Sequence, residues 1–131
     1  MRKILVFMLI ISGTFCQISC DKDKTSDFSL ENSVITKVEG PTSVAVGQEI
    51  NLEVTLQGNN SCAASGQLQE KVDGNTRIIK GSVIYQGEAC YQALISIAKN
   101  YTFKASSTGK YEFKFVKADK TFVTHTVMVT N

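Results

Sequence analysis

The chain has 131 residues and a mass of 14.3 kDa, a length that holds one domain of ordinary size. Hydrophobic residues make up 43% and charged residues 20%, a balance that suits a folded globular chain and argues against intrinsic disorder. Fourteen Lys+Arg against twelve Asp+Glu, one His and no Trp leave little for His-dependent catalysis and no basic excess of the kind that phosphate neutralisation requires of a nucleic-acid binder.

At the N-terminus Arg2 and Lys3 precede eight consecutive apolar residues, Ile4 to Ile11. This is the arrangement of a secretory signal, and it falls short of the ~20 apolar residues a membrane-spanning helix needs. No small-x-small cleavage site precedes Cys20. Ile18-Ser19-Cys20 instead resembles the lipobox of bacterial lipoproteins, in a relaxed form because Gln17 stands where that family favours Leu. The resemblance implies cleavage before Cys20, acylation of its thiol and anchoring in the outer membrane of a bacterial cell envelope, with the periplasmic or surface face left open. Cys16 is the competing candidate, but bulky Phe15 precedes it. The alternative is an ordinary secretory signal with two incidental cysteines. Asp21 to Asp27 is polar and short of aliphatics, as a tether between lipid and domain should be. The expected organisation is a signal at 1–19, a lipidated Cys and tether at 20–32, and a folded domain at 33–131.

Removing Arg2 and Lys3 with the signal leaves twelve basic and twelve acidic residues. Lys110, Lys114, Lys117 and Lys120 lie close in sequence, but Glu112 and Asp119 interrupt them, so a solvated strand face is expected there. Of the four cysteines, Cys62 and Cys90 remain as a pair in the folded part. Outside the cytoplasm such a pair forms a disulfide, and closing a loop of roughly 30 residues contributes about 3–4 kcal/mol in the chain-entropy model. Metal or redox chemistry lacks a Cys-x-x-Cys pair and a second His.

From Val34 onward the apolar residues alternate with period two, and turn residues punctuate them. Val34 to Glu39 is a first strand, stopped at Gly40-Pro41, and Ser43 to Val46 is a short second one. Glu49 to Leu56 places Ile50, Leu52, Val54 and Leu56 on one face and Asn51, Glu53 and Thr55 on the other, so one sheet face is buried and one is wet. Gln57 to Gly66 is small and polar and reads as a long loop holding Cys62. Gln67 to Val72 and Arg77 to Tyr85 read as strands around the turn signal Asp73-Gly74. Glu88 to Ser96 is ambiguous, and Ala89 to Ala98 is the one plausible short helix beyond the signal. Tyr101, Phe103 and Ala105 alternate, then Tyr111, Phe113 and Phe115, and Thr121 to Thr130 closes the chain with Val123, Val127 and Val129 on one side. Short strands every 8–12 residues argue for an all-β, antiparallel β-sandwich of about seven strands.

Two stretches resemble the immunoglobulin-like domains found at large in bacterial proteins, over about residues 33–131. Val46-Gly47-Gln48-Glu49-Ile50-Asn51-Leu52-Glu53-Val54 is similar to the turn that feeds strand B. Ser107-Thr108-Gly109-Lys110-Tyr111-Glu112-Phe113 is similar to the E–F turn and strand F. The resemblance implies a tyrosine corner, in which the Tyr111 hydroxyl bonds back to upstream backbone. It also implies that Phe113 faces Val54 where antibody-type domains carry a disulfide. The antibody Trp of strand C is missing. Cys62 and Cys90 would then lie outside the usual inter-sheet position and pin the loop after strand B to the segment before strand E.

No catalytic constellation emerges. His125 sits among Val123, Thr124, Thr126 and Val127, without the second His or the Cys that a blue-copper set would add to Met128. Glu49 and Glu53 lie on the polar face of a strand, where a solvated pair is expected rather than a glycosidase dyad. No Gly-rich phosphate loop joins a strand to a helix. Tyr85, Tyr91, Tyr101 and Phe103 form either an aromatic surface for sugar or protein or part of the core. Asn59, Asn60 and Ser61 in the loop 57–66 form the other candidate binding element, because sandwiches bind through rigidly held end loops. The expectation is a lipid-anchored, non-catalytic envelope module for a protein or glycan ligand, with no cofactor, metal or nucleic-acid partner. The alternative is a small inhibitor or accessory subunit of an envelope hydrolase acting through the loop 57–66.

Overall fold

The computed structural model describes residues 28–118 and 120–131. The signal at 1–19 with Cys16, the lipid site Cys20 and the tether up to Asp27 lie outside the described residues, as does Asp119. Eight strands follow one another: β1 (Phe28–Glu39), β2 (Ser43–Ala45), β3 (Glu49–Asn60), β4 (Ala63–Asp73), β5 (Thr76–Gln86), β6 (Gln92–Lys104), β7 (Gly109–Val116) and β8 (Phe122–Thr130).

The strands form the two layers of a β-sandwich, and β1 belongs to both. Its first half, Phe28 to Ser33, pairs with β5. Its second half, Val34 to Glu39, crosses to the other layer and pairs with β3. One layer is thus the second half of β1 with β3 and β6, all antiparallel. The other runs β2-β8-β7-β5, with β4 on the far side of β5 and the first half of β1 beyond the end of β7. Two neighbour pairs in this layer are parallel, β2 with β8 and β5 with β7. That makes eight strands where the periodicity predicted about seven.

The alternation seen in the sequence sets the core. Ile50, Leu52, Val54 and Leu56 of β3 face Phe113 and Phe115 of β7, Ile79 and Val83 of β5 and Val127 of β8 in one buried cluster. Each such side chain contributes about 1.5–3 kcal/mol when fully buried. Phe103 packs edge-on against Phe113 with ring centroids 4.8 Å apart. Tyr101 approaches Phe113 and Phe115 at 5.7 and 6.0 Å. Phe113 and Val54, expected to face each other, are both members of this core.

Two sequence expectations are corrected. Residues 57–66 are not a long loop: β3 runs on to Asn60, Ser61 and Cys62 make a two-residue turn, and β4 starts at Ala63. The small residues that suggested a loop are there for close approach. A Cβ on Gly58 would overlap the Ala63 Cβ across the turn, so glycine lets the hairpin close. Ala89 to Ala98 is not a helix either. It enters β6, where Ala93, Ile95 and Ile97 turn inward and Leu94, Ser96 and Ala98 are exposed. The turn signal Asp73-Gly74 is realised: Asp73 pairs with Thr76 across Gly74 and Asn75. Gly74 has φ +57°, the left-handed conformation that glycine takes at the first position of a type II′ hairpin.

Candidate functional site

The Ser61-Cys62 turn at the end of the β3–β4 hairpin is braced from several directions. Cys62 and Cys90 form a disulfide, with Cα atoms 5.4 Å apart. The Ser61 N–H donates to the Tyr91 carbonyl at 3.0 Å, and the Tyr91 N–H donates back to Ser61 Oγ at 3.0 Å. The Gln86 N–H donates to the Cys62 carbonyl, and the Cys62 N–H to Asn60 Oδ1, both at 2.9 Å. Asn59 donates its backbone N–H to the hydroxyl of buried Tyr85, again at 2.9 Å. The segment from Gln86 to Tyr91 therefore wraps the turn, and the Tyr85 hydroxyl ties the turn to the core. Loop residues are free to move unless their backbone groups are committed; here most are.

This braced end carries exposed apolar surface. Tyr91 and Leu94 are each 72% exposed, beside the polar side chains of Asn59, Asn60 and Ser61. Asn60 pairs with Gln92 across the sheet, so Tyr91, just before β6, and Leu94, within it, adjoin the turn. Of the four aromatics weighed as a surface, Tyr85, Tyr101 and Phe103 are buried and belong to the core; Tyr91 alone of the four faces solvent. Sequence reasoning missed Leu94. It is an apolar residue at an outward position between inward Ala93 and Ile95, and that apolar run is the signal the sequence offers.

A second polar cluster lies inside the mouth of the sandwich, between edge strands β4 and β6. Glu70 Oε1 accepts from Arg77 Nη1 at 2.7 Å, and Glu70 Oε2 accepts from the Tyr101 hydroxyl. The Arg77 guanidinium lies over the Phe103 ring, 5.1 Å from its centroid. Arg77 Nε is buried without a hydrogen-bond partner. Burial, reinforced by the hydrogen bond and the negative charge of Glu70, raises the Tyr101 phenol well above its usual range. Glu70 pairs across the ladder with buried Ile79, so its side chain points toward the core side. Lys99 on β6 pairs with buried Val54 and is likewise a charge at a core-side register. Inward charges on edge strands discourage edge-to-edge pairing with other chains, and Glu70 on β4 and Lys99 on β6 are placed as such charges.

The remaining sequence candidates separate. His125 Nε2 lies 2.9 Å from the Pro41 carbonyl; a carbonyl only accepts, so Nε2 carries the proton and His125 secures the β1–β2 connection. Glu49 and Glu53 are exposed on the wet face of β3. Among the described residues no group of three His, Cys, Asp or Glu is placed to hold a metal ion. The Tyr111 hydroxyl is 3.1 Å from the Ser107 carbonyl and 2.9 Å from Ser107 Oγ, bridging the turn before β7. Lys114 pairs with Glu112 at 3.2 Å and sits over the Phe122 ring, as on a solvated strand face.

Fold and site together define a small two-layered all-β domain with one end braced by a disulfide. Residues 52–129 match the family model of the ORF11 beta-sandwich domain, and the chain belongs to that family. No curated protein and no solved structure matches the chain.

Proposed function

We propose that this chain is a lipid-anchored, non-catalytic module of the bacterial cell envelope that binds a protein or glycan through its braced end. The observation that carries the binding reading is the placement of Tyr91 and Leu94, each 72% exposed, beside a turn fixed by the Cys62–Cys90 disulfide and the Ser61–Tyr91 hydrogen bonds. An exposed aromatic on a rigid support loses little conformational entropy on binding, and such residues dominate binding energy at interfaces. Asn59, Asn60 and Ser61 supply polar groups beside it. The anchor reading rests on Arg2-Lys3, the apolar run to Ile11 and Ile18-Ser19-Cys20. The accessory-subunit reading began from a long loop at 57–66; a two-residue turn offers less to insert into an enzyme cleft, so contact at the braced end is favoured.

The test has two arms. Pull-down from solubilised envelope and binding to a glycan array should each be repeated with Tyr91→Ala and Leu94→Ala. The expected result is loss of the captured ligand with an unchanged melting temperature, because both side chains are exposed. Retention of the same ligand by the double variant would refute the site. Fatty-acid labelling of the full chain should disappear in Cys20→Ala, and persistent label would refute the anchor.

A further inference from the structure

The end of the sandwich that carries Tyr91 and Leu94 is also the end at which the chain enters it. Phe28, the first residue of β1, pairs with Gln86, whose N–H donates to the Cys62 carbonyl. From there β1 runs into the domain, Ser33 lying opposite Gly81, so the chain reaches Phe28 from the side of the braced end. The turns at Gly47, Asn75 and Ser107 lie at the other end, where the Gly47 N–H donates to the Ala105 carbonyl and the Glu112 N–H to the Asn75 carbonyl. β3 joins the two ends from Glu49 to Asn60, a span of about 36 Å at the usual rise of a strand.

Cys20 precedes Phe28 by eight residues, a stretch that reaches at most about 26–29 Å when fully extended. That is shorter than the distance between the two ends. A lipid on Cys20 therefore holds the braced end near the bilayer, and a domain standing inverted on its opposite end would need a longer tether. The chemistry of the braced end suits that position. Tyr91 and Leu94 are the most exposed large apolar side chains of the described residues. From Tyr91 to Ala98 the sequence has no charged residue, Glu88 and Lys99 being the nearest on either side. β6 has one ladder neighbour, β3, so Leu94 lies along the edge of its layer. Tyrosine, with an apolar ring and a polar tip, is enriched where hydrocarbon meets headgroups, and an adjacent leucine supplies apolar area to the same boundary. Both backbone groups of Tyr91 are held by Ser61, so the ring is presented on a fixed support.

We infer that the braced end rests on the headgroup layer of the bilayer that holds the chain's own lipid, with Tyr91 and Leu94 as the side chains that enter it. The inference rests on the proposed acylation of Cys20, and it narrows the protein or glycan bound at this end to one belonging to that membrane. The lipid sets the distance of the domain from the bilayer, and the apolar pair sets its orientation. The turns at Gly47, Asn75 and Ser107 then face away from the membrane.

The test uses the acylated protein in bicelles of phosphatidylcholine, a fraction of which carries a spin label high on the acyl chain, with backbone amides recorded by NMR. The amides of Ser61, Cys62, Tyr91 and Leu94 should lose about half or more of their intensity relative to unlabelled bicelles, and those of Gly47, Asn75 and Ser107 should keep theirs. In Tyr91→Ser/Leu94→Ser the loss at the braced end should fall about twofold or more, because the tether alone leaves the domain free to turn. Both side chains are exposed, so the variant keeps its fold, which the remaining signals report. Equal broadening in the variant and the native protein overturns the proposal, and so does broadening of the opposite end to the same degree as the braced end. Fatty-acid labelling of the same sample separates this failure from that of the anchor. A labelled protein without selective broadening removes the contact alone, whereas an unlabelled protein removes the anchor and the contact together.

Discussion

Replacing both Cys62 and Cys90 with Ala isolates what the cross-link does to the unfolded chain. Cys90 is exposed and Cys62 only partly buried, so the substitutions remove little core surface. The Ser61–Tyr91 and Gln86–Cys62 backbone bonds stay available in the variant. The effect then comes mainly from loop-closure entropy. With the two residues 28 positions apart, the chain-entropy relation gives about 12 cal/mol/K, or about 3.6 kcal/mol at 25 °C. For a domain of this size that lowers the melting temperature by roughly 15–30 °C. Urea denaturation followed by circular dichroism measures it directly. The urea dependence should also steepen, because an uncross-linked unfolded chain exposes more surface. A loss below about 1 kcal/mol with an unchanged slope would refute the reasoning, since the bond would then not be constraining the unfolded ensemble.

Gly81→Ala would drive a methyl into Leu56 Cδ2 and toward Ile35 Cγ1; both side chains are fully buried, so a loss of about 1–3 kcal/mol is expected by thermal or urea unfolding. Tyr111→Phe removes the hydroxyl that bridges to Ser107. Ser107 is exposed and its carbonyl can rehydrate, so the cost should stay near 1 kcal/mol, and an unchanged unfolding curve would show that the bridge does not stabilise the turn. Glu70→Ala strips Arg77 of its carboxylate and should cost about 2 kcal/mol, with a rise in association seen by light scattering as the β4 edge loses its inward charge. Tyr101 holds its proton more tightly folded than unfolded. Its contribution to stability is complete below the ordinary phenol range near pH 10 and declines as pH climbs above it toward the folded value. Absorbance titration compared with the Tyr101→Phe variant should show the Tyr101 phenol ionising late, together with unfolding; ionisation of Tyr101 in the ordinary phenol range would contradict its burial beside Glu70.

Much of the sandwich was legible because half-buried strands advertise themselves by alternation. Ile50-Leu52-Val54-Leu56 and Tyr111-Phe113-Phe115 needed only a pleat to reach the core they occupy. The errors fell where composition answered two demands at once. Glycine at position 58 satisfies strand contact rather than loop freedom, and sequence alone does not distinguish the two. Around residues 89–98 the inward positions hold Ala93, Ile95 and Ile97, while exposed Leu94 interrupts the pattern, so neither period stood out. Cys62 and Cys90 were legible as a pair because their chemistry needs no geometry to be suspected. The tie between Glu70 and Tyr101 was not, since topology brings together residues 31 positions apart along the chain.

The division of β1 between the layers has a mechanical meaning. Tension entering from the N-terminal side meets Phe28 to Ser33 zipped along β5 and then Val34 to Glu39 zipped along β3. In both ladders the hydrogen bonds run across the strand, so pulling along β1 must shear several of them together instead of peeling them one at a time. Load is therefore passed to both halves of the molecule at its first strand, whereas tension on the last strand enters a single layer.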